Sequence, residues 1–195
     1  MNRIVVALPL VLALLAVSTS ASAAEPEDLK AKYEGKSFVL QHNLHIDDNE
    51  AEWQNSIGGD FVDLGSKVTV TKIDKSKALL AFADPARTVK LDLAGANPNA
   101  TVVLDHMLGA AAPSLKGLSK QDLTGIKRAV ILEGMTRKAV FLAVGYPPYS
   151  YTPPFRKDSA VNHDPNAEEL TYMKSTYDFF KVYFGSKGTV AAIED

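Results

Sequence analysis

Residues 88–93, Thr88-Val89-Lys90-Leu91-Asp92-Leu93, alternate polar and apolar side chains, which puts Val89, Leu91 and Leu93 on one face of a half-buried strand. The same period of two nearly holds through Val68, Val70 and Ile73, and residues 78–83 form an apolar run of strand length. Upstream, Ser37-Phe38-Val39-Leu40-Gln41-His42 and Glu52-Trp53-Gln54-Asn55 read as antiparallel neighbours across a hairpin tip of Asp47-Asp48-Asn49-Glu50. Gly58-Gly59-Asp60 marks another turn before a strand at residues 61–66. Short strands and tight turns in this density suggest a small antiparallel barrel or sandwich at residues 33–95, with Trp53 in the core or on the rim of the barrel. The polar residues 25–33 before it read as a short lead-in helix or an ordered tail.

Ala94-Gly95-Ala96-Asn97-Pro98-Asn99 breaks the alternation and reads as a boundary. Beyond it, residues 101–112 carry apolar positions at helical spacing, and Pro113 marks the exit. Ser119-Lys120-Gln121-Asp122 can start a turn or a short helix, with Gly125 weighing against helix. Thr136 is placed to cap a helix over residues 137–144, with Val140 and Val144 on one face and Gly145 as its stop before Pro147-Pro148. Strands follow at 170–173, 178–184 and 189–193, the last pair joined by a Gly185-Ser186-Lys187-Gly188 turn. The second half is thus expected to be helices followed by an antiparallel meander, over residues 100–195.

The first 23 residues have a different character. Arg3 precedes an apolar run of about 14 residues, the length of a signal-peptide core and short of the roughly 20 that span a bilayer, and Ala21-Ser22-Ala23 fits a signal peptidase site. Cleavage after Ala23 and a periplasmic or secreted location in a bacterial envelope are the expectation. The chain has no cysteine, so neither a lipid-bearing cysteine nor a disulfide is available, and the exported domains must hold by packing. The net charge of −2, with Lys and Arg interspersed among acids, gives no basic footprint for nucleic acid. No later apolar run reaches transmembrane length.

Candidate chemistry is thin. His42 and His45, near Asp47 and Asp48, are of metal-binding type, but side chains three apart on a strand point to opposite faces. The plainer expectation is a strand histidine and a turn histidine beside a solvated acidic tip, with no metal and no cofactor. His106 and His163 are isolated, Ser159 lacks a triad, and no phosphate-binding glycine loop occurs. The unusual surface feature is Tyr146-Pro147-Pro148-Tyr149-Ser150-Tyr151-Thr152-Pro153-Pro154-Phe155, where aromatic area sits on a stiff backbone and lowers the ordering cost of binding. Tyr146, Tyr149, Tyr151 and Phe155 are the candidate binding residues; the alternative is that they pack on the neighbouring sheet.

The segment Glu133-Gly134-Met135-Thr136-Arg137-Lys138-Ala139-Val140, followed by Val144-Gly145-Tyr146-Pro147-Pro148, resembles the signature of the SmpA/OmlA-like domain of barrel-assembly lipoproteins. The ending Phe184-Gly185-Ser186-Lys187-Gly188-Thr189-Val190 is similar too, so the resemblance covers roughly residues 115–195. It implies two helices against a three-stranded antiparallel sheet, an architecture that also resembles secreted β-lactamase inhibitor proteins, which act by binding. Val62-Asp63-Leu64-Gly65-Ser66-Lys67-Val68 gives the first half a likeness to a bacterial SH3-like barrel. Together these imply an α+β chain in which an SH3-like antiparallel β-barrel precedes a two-helix, three-stranded domain. The function implied is non-enzymatic, a protein-protein interaction or assembly module for an envelope partner. The alternative is a binding protein for a cell-wall fragment or a divalent metal.

Overall fold

The computed structural model describes residues 26–74, 76–96, 100–147, 168–175 and 178–195. The leader and its cleavage site lie outside them, as do Tyr149, Tyr151, Phe155, Ser159 and His163. The chain is α+β. In order it forms α1 (Pro26–Tyr33), β1 (Ser37–Leu40), β2 (Leu44–Ile46), β3 (Glu50–Glu52), β4 (Asp60–Val62), β5 (Lys67–Asp74), β6 (Lys77–Ala83), β7 (Ala86–Asp92) and α2 (Ala100–Met107). Then come β8 (Leu108–Gly109), α3 (Lys120–Lys127), α4 (Arg137–Val144), β9 (Glu169–Ser175), β10 (Asp178–Phe184) and β11 (Val190–Glu194).

Alternation dictates the central meander. In β6 and β7, and in β5 up to a register shift after Val70, alternate side chains, Val68, Val70, Leu80, Phe82, Val89 and Leu91 among them, are turned into one core. These strands pair antiparallel and sit in a six-stranded sheet of order β3-β7-β6-β5-β1-β8. The expected all-antiparallel arrangement fails at one edge, because β3 runs parallel to β7 with Glu50 opposite Lys90. The acidic tip does form a tight turn: Asp48 and Asn49 both take positive φ, as a primed two-residue turn requires, and Asp47 and Glu50 exchange backbone hydrogen bonds. After this turn the chain does not return along β1. The Glu50–Lys90 ion pair and the Trp53 N–H donated to the Asp92 carbonyl draw it onto the far edge. β2 pairs instead with β4, as a separate two-stranded ribbon.

Helices complete the first core. Leu29 and Tyr33 of α1 and Val103, Leu104 and Met107 of α2 are buried with the meander residues, so α2 packs with the first half of the chain. Asp105 ties the two helices together. Its carboxylate accepts from Lys32 Nζ at 2.7 Å and from the Tyr33 hydroxyl at 2.7 Å. The helix expected through residue 112 stops at Met107, where Leu108 and Gly109 pair with β1.

A second core joins α3 and α4 to the three-stranded antiparallel sheet β11-β10-β9, through Ile126, Met135, Val140, Leu142 and Val144 against Leu170, Tyr172, Phe180, Val182 and Phe184. Gly125, which argues against helix on propensity, lies close against the Met135 thioether, so a Cβ there would displace that side-chain end. Asp122 organises both helix starts. It forms a capping box with Ser119 and also accepts from the Thr136 backbone N–H at 2.6 Å and the Thr136 hydroxyl at 3.1 Å. Burial pushes the carboxyl upward, but the hydrogen bonds from Thr136 and Ser119 outweigh it and hold Asp122 below the ordinary carboxylate range.

The two cores meet at a pair of fully buried asparagines. A helix leaves its last carbonyls without intrahelical donors, and here Asn43 and Asn55 from the first half supply those of α4. The Asn43 backbone N–H donates to the Leu142 carbonyl at 3.1 Å, Asn43 Nδ2 to Ala143 at 3.1 Å, and Asn55 Nδ2 to Val144 at 2.7 Å. Asn43 Nδ2 also donates to the Ile126 carbonyl near the end of α3, at 2.7 Å. The acceptor sides are used as well: Asn43 Oδ1 takes the Leu64 N–H and Asn55 Oδ1 takes the His45 N–H. Replacing Asn43 with alanine strands the Ala143 carbonyl and the Leu64 N–H and leaves the Ile126 carbonyl with the Ala129 N–H alone. At about 1–3 kcal/mol for each buried group left unmatched, Asn43→Ala is expected to cost about 3–5 kcal/mol in urea unfolding. A loss below about 1 kcal/mol would show that the junction does not hold the fold.

Candidate functional site

The loop after β1 turns sharply inward at His42 and Asn43. His42 is 5% exposed and its Nδ1 lies 2.8 Å from the Asn43 carbonyl, so Nδ1 carries the proton and the ring is neutral. Its flat face rests on the end of α4. A Cβ built on Gly145 would come within 2.9 Å of the imidazole, and Gly145 has φ +79°, so both space and conformation require glycine there. His45 is 6% exposed and faces another way, with Nδ1 3.2 Å from the Gly58 carbonyl. The expectation that these histidines flank a solvated tip is therefore corrected: both are interior residues, taken inward because the strand ends at Leu40 and the asparagine junction pulls the next residues between the cores. Among the described residues, no group of three or more His, Asp or Glu is gathered for a metal ion.

Tyr146 follows immediately on Gly145. Its ring stacks on His106 at 4.0 Å and 19° and on Phe141 at 4.4 Å and 14°. Two near-parallel rings this close cannot share one face, so Tyr146 is sandwiched between the end of α2 and the side of α4. His106, isolated in sequence, is brought to Tyr146 by packing of α2 against the junction. Tyr146 is half-buried and Pro147 buried, so the first aromatic of the Tyr/Pro run is a fixed packing element.

Beside this stack lies a cleft of about 470 Å³, within the range of small-ligand sites. Its α4 wall is built by helical spacing: Arg137 and Phe141, then Lys138 and Leu142, each four apart on adjoining lines of one face. Gln41, His42 and, from α2, Asp105 and His106 also line it. Lys138 Nζ donates to the Ser114 carbonyl at 2.9 Å, and Asp105 is engaged by Lys32. Arg137 differs. Its guanidinium lies 3.8 Å over the Phe184 ring, and its Nη1 is buried with no hydrogen-bond partner. Residue reading missed Arg137, Gln41 and Phe141. One signal was present for Arg137: it is the first residue of α4, where the helix dipole disfavours a cation.

A second groove, about 700 Å³, is bordered by Asp47, Asp48, Glu50, Glu52 and Asp92 with Lys174 across it. Its carboxylates serve local ends: Glu50 pairs with Lys90, Glu52 accepts from Ser56, and Asp92 accepts from the Ala94 N–H.

No protein-family model, curated protein or solved structure matches the chain. Among the described residues no helix is long and apolar enough to cross a membrane.

Burial lowers His42 from 6.5 to about 4; the Asn43 carbonyl opposes this, while charge on His45 or His106 would add to it. Burial lowers His45 and His106 as well. Folding therefore favours the neutral rings, a contribution complete above pH 6.5 and lost as pH falls toward about 4. At about 1.4 kcal/mol per pH unit, His42 is expected to contribute about 3 kcal/mol of acid sensitivity over that window. Urea midpoints measured from pH 7 to pH 4 should fall for the wild type and fall less for His42→Gln, which can still donate to the Asn43 carbonyl. Parallel curves for the two proteins would count against a neutral buried imidazole.

Proposed function

We propose that this protein is a non-enzymatic, exported envelope protein that acts as a protein-protein interaction or assembly module. Its first half is read as an SH3-like unit over residues 33–95 and its second as an SmpA/OmlA-like unit over residues 100–195. The signal-peptide pattern of residues 1–23 supports export to the periplasm or beyond, and the motif at residues 133–148 supports the domain reading.

The observation that carries this reading is the anchoring of Tyr146. Its ring is held between His106 and Phe141, so the first residue of the Tyr/Pro run is a rigid base. Tyrosine and proline side chains presented from such a base provide contact area at low entropic cost. Tyr149, Tyr151 and Phe155 are the residues assigned to contact the partner.

A second reading is capture of a cell-wall fragment, favoured by the cleft with its aromatic and cationic wall. A divalent metal, the other ligand considered, draws no support from His42 and His45, whose rings are directed to the Asn43 and Gly58 carbonyls.

Photo-crosslinking from positions 149 and 151 in cells is expected to capture one dominant envelope protein. Pull-down of that protein should drop at least tenfold with Tyr149→Ala combined with Tyr151→Ala, while the urea midpoint stays within error of wild type. Undiminished capture by the double variant would remove the Tyr/Pro run from the interface. Titration with muropeptides decides the second reading separately.

A further inference from the structure

Arg137 is a half-buried cation on the cleft for which the described residues provide a surface but no anion. Its guanidinium stacks on Phe184, and no described carboxylate pairs with it. Buried charged groups are normally paired, and an unmatched donor carries the full cost of its lost hydration. Placing that donor at the first position of α4, against the helix dipole, adds to the cost. Apart from the Phe184 contact, the packing of α4 does not use it: Ala139, Val140, Leu142, Ala143 and Val144 bury the helix, and Thr136 caps it. The Phe184 ring accounts for one face of the guanidinium, and the part that lines the cleft is left without a described carboxylate.

We infer that the cleft beside Tyr146 binds a ligand carrying a single carboxylate next to a planar apolar group, with the carboxylate on Arg137 and the planar group along the Phe141 wall. This rests on the second reading, ligand capture in the cleft, and is independent of docking through Tyr149 and Tyr151. A guanidinium presents a planar fork that matches a carboxylate edge to edge. The charge balance also favours a monoanion. Lys138 is turned to the Ser114 carbonyl, and the Asp105 carboxylate lines the same cleft, so a phosphate dianion would meet one half-buried cation and a nearby negative charge. The aromatic wall selects for the adjoining group: Phe141 lies one helical turn from Arg137 on the same face, so a ligand spanning both needs only a short link between carboxylate and ring. A terminal carboxylate of a peptide and a free aryl-alkyl acid share this chemistry.

The test is an NMR titration of the purified protein with N-acetylphenylalanine, N-acetylphenylalaninamide, a tripeptide ending in phenylalanine and inorganic phosphate. The acid is expected to shift the Arg137 Nε–H and His106 signals. The amide should bind at least tenfold more weakly, and phosphate should not compete. Tighter binding of the tripeptide than of the acid assigns the source as a peptide terminus, and equal binding assigns a free acid. Arg137→Gln should weaken the acid at least tenfold and leave the amide unchanged. Equal binding of acid and amide, or competition by phosphate, overturns the carboxylate assignment while leaving capture in the cleft intact. Absence of any shift with acid or tripeptide also overturns it, and the muropeptide titration then decides whether the cleft binds anything. Because the acid-amide comparison uses the wild-type protein, the result does not depend on how well Arg137→Gln folds.

Discussion

The end of helix α4 is completed by residues nearly a hundred positions away in the chain. Asn43 and Asn55 sit 0% and 2% exposed between two apolar cores, and an amide in such a place is tolerated only when its donors and acceptors are matched. Here they are matched by the groups that α4 cannot satisfy internally, the carbonyls of Ala143 and Val144, and by the Leu64 and His45 N–H groups. Each side therefore needs the other. Without the asparagines the Ala143 and Val144 carbonyls lose their donors, and without α4 each asparagine amide loses an acceptor in a place that water does not reach. Apolar contacts could bury the same area at many relative angles, but matched amides accept one, so the junction fixes how the halves meet.

Other features of the seam follow from that fixed angle. His42 is carried inward by its neighbour Asn43 and becomes a neutral wedge against Gly145. Gly145 in turn passes its carbonyl to the Tyr172 hydroxyl at 3.3 Å, tying the helix end to β9. The Ile57 N–H donates to the Met173 carbonyl at 2.9 Å, so the segment before β4 also crosses to the second sheet. Tyr146, one residue beyond the stop, emerges where α2 and α4 approach and is held by a ring from each. The cleft is what remains beside this stack, with walls from both halves.

Elements governed by local rules were legible in the sequence. Thr136 and Gly145 bound α4 as their capping chemistry requires, and alternation located β5, β6 and β7. The hairpin after residue 184 and the tight turn at Asp48-Asn49 also follow from residue type. What could not be read was partnership at a distance. Nothing local says that β3 will lie parallel to β7, that α2 will pack with the first core, or that Asn43 will find Ile126. Gly125 shows the limit from the other side: its propensity argues against a helix, and its close approach to Met135 exists only in the assembled fold. The candidate site divides in the same way. Tyr146 was recognisable by composition, whereas the stack beneath it and the arginine beside it exist only once α2, α4 and β10 are assembled.

Helix α4 is held at both ends by other parts of the chain, and this bears on what its exposed face can do. At its start, the Arg137 N–H donates to the Gly188 carbonyl at 3.1 Å and Asp122 grips Thr136; at its finish, Asn43 and Asn55 take over. A helix so clamped cannot rotate Arg137 and Phe141 away from the cleft without breaking buried hydrogen bonds, so the wall is preorganised and little ordering cost remains for whatever occupies it. Clamping also couples occupation to folding. A ligand touching Arg137, Phe141 and Gln41 contacts both sides of the junction, and binding to the folded chain alone stabilises that junction by mass action. The asparagines and the cleft are thus two faces of one constraint: the bonds that fix the angle between the halves also fix the site that lies across it.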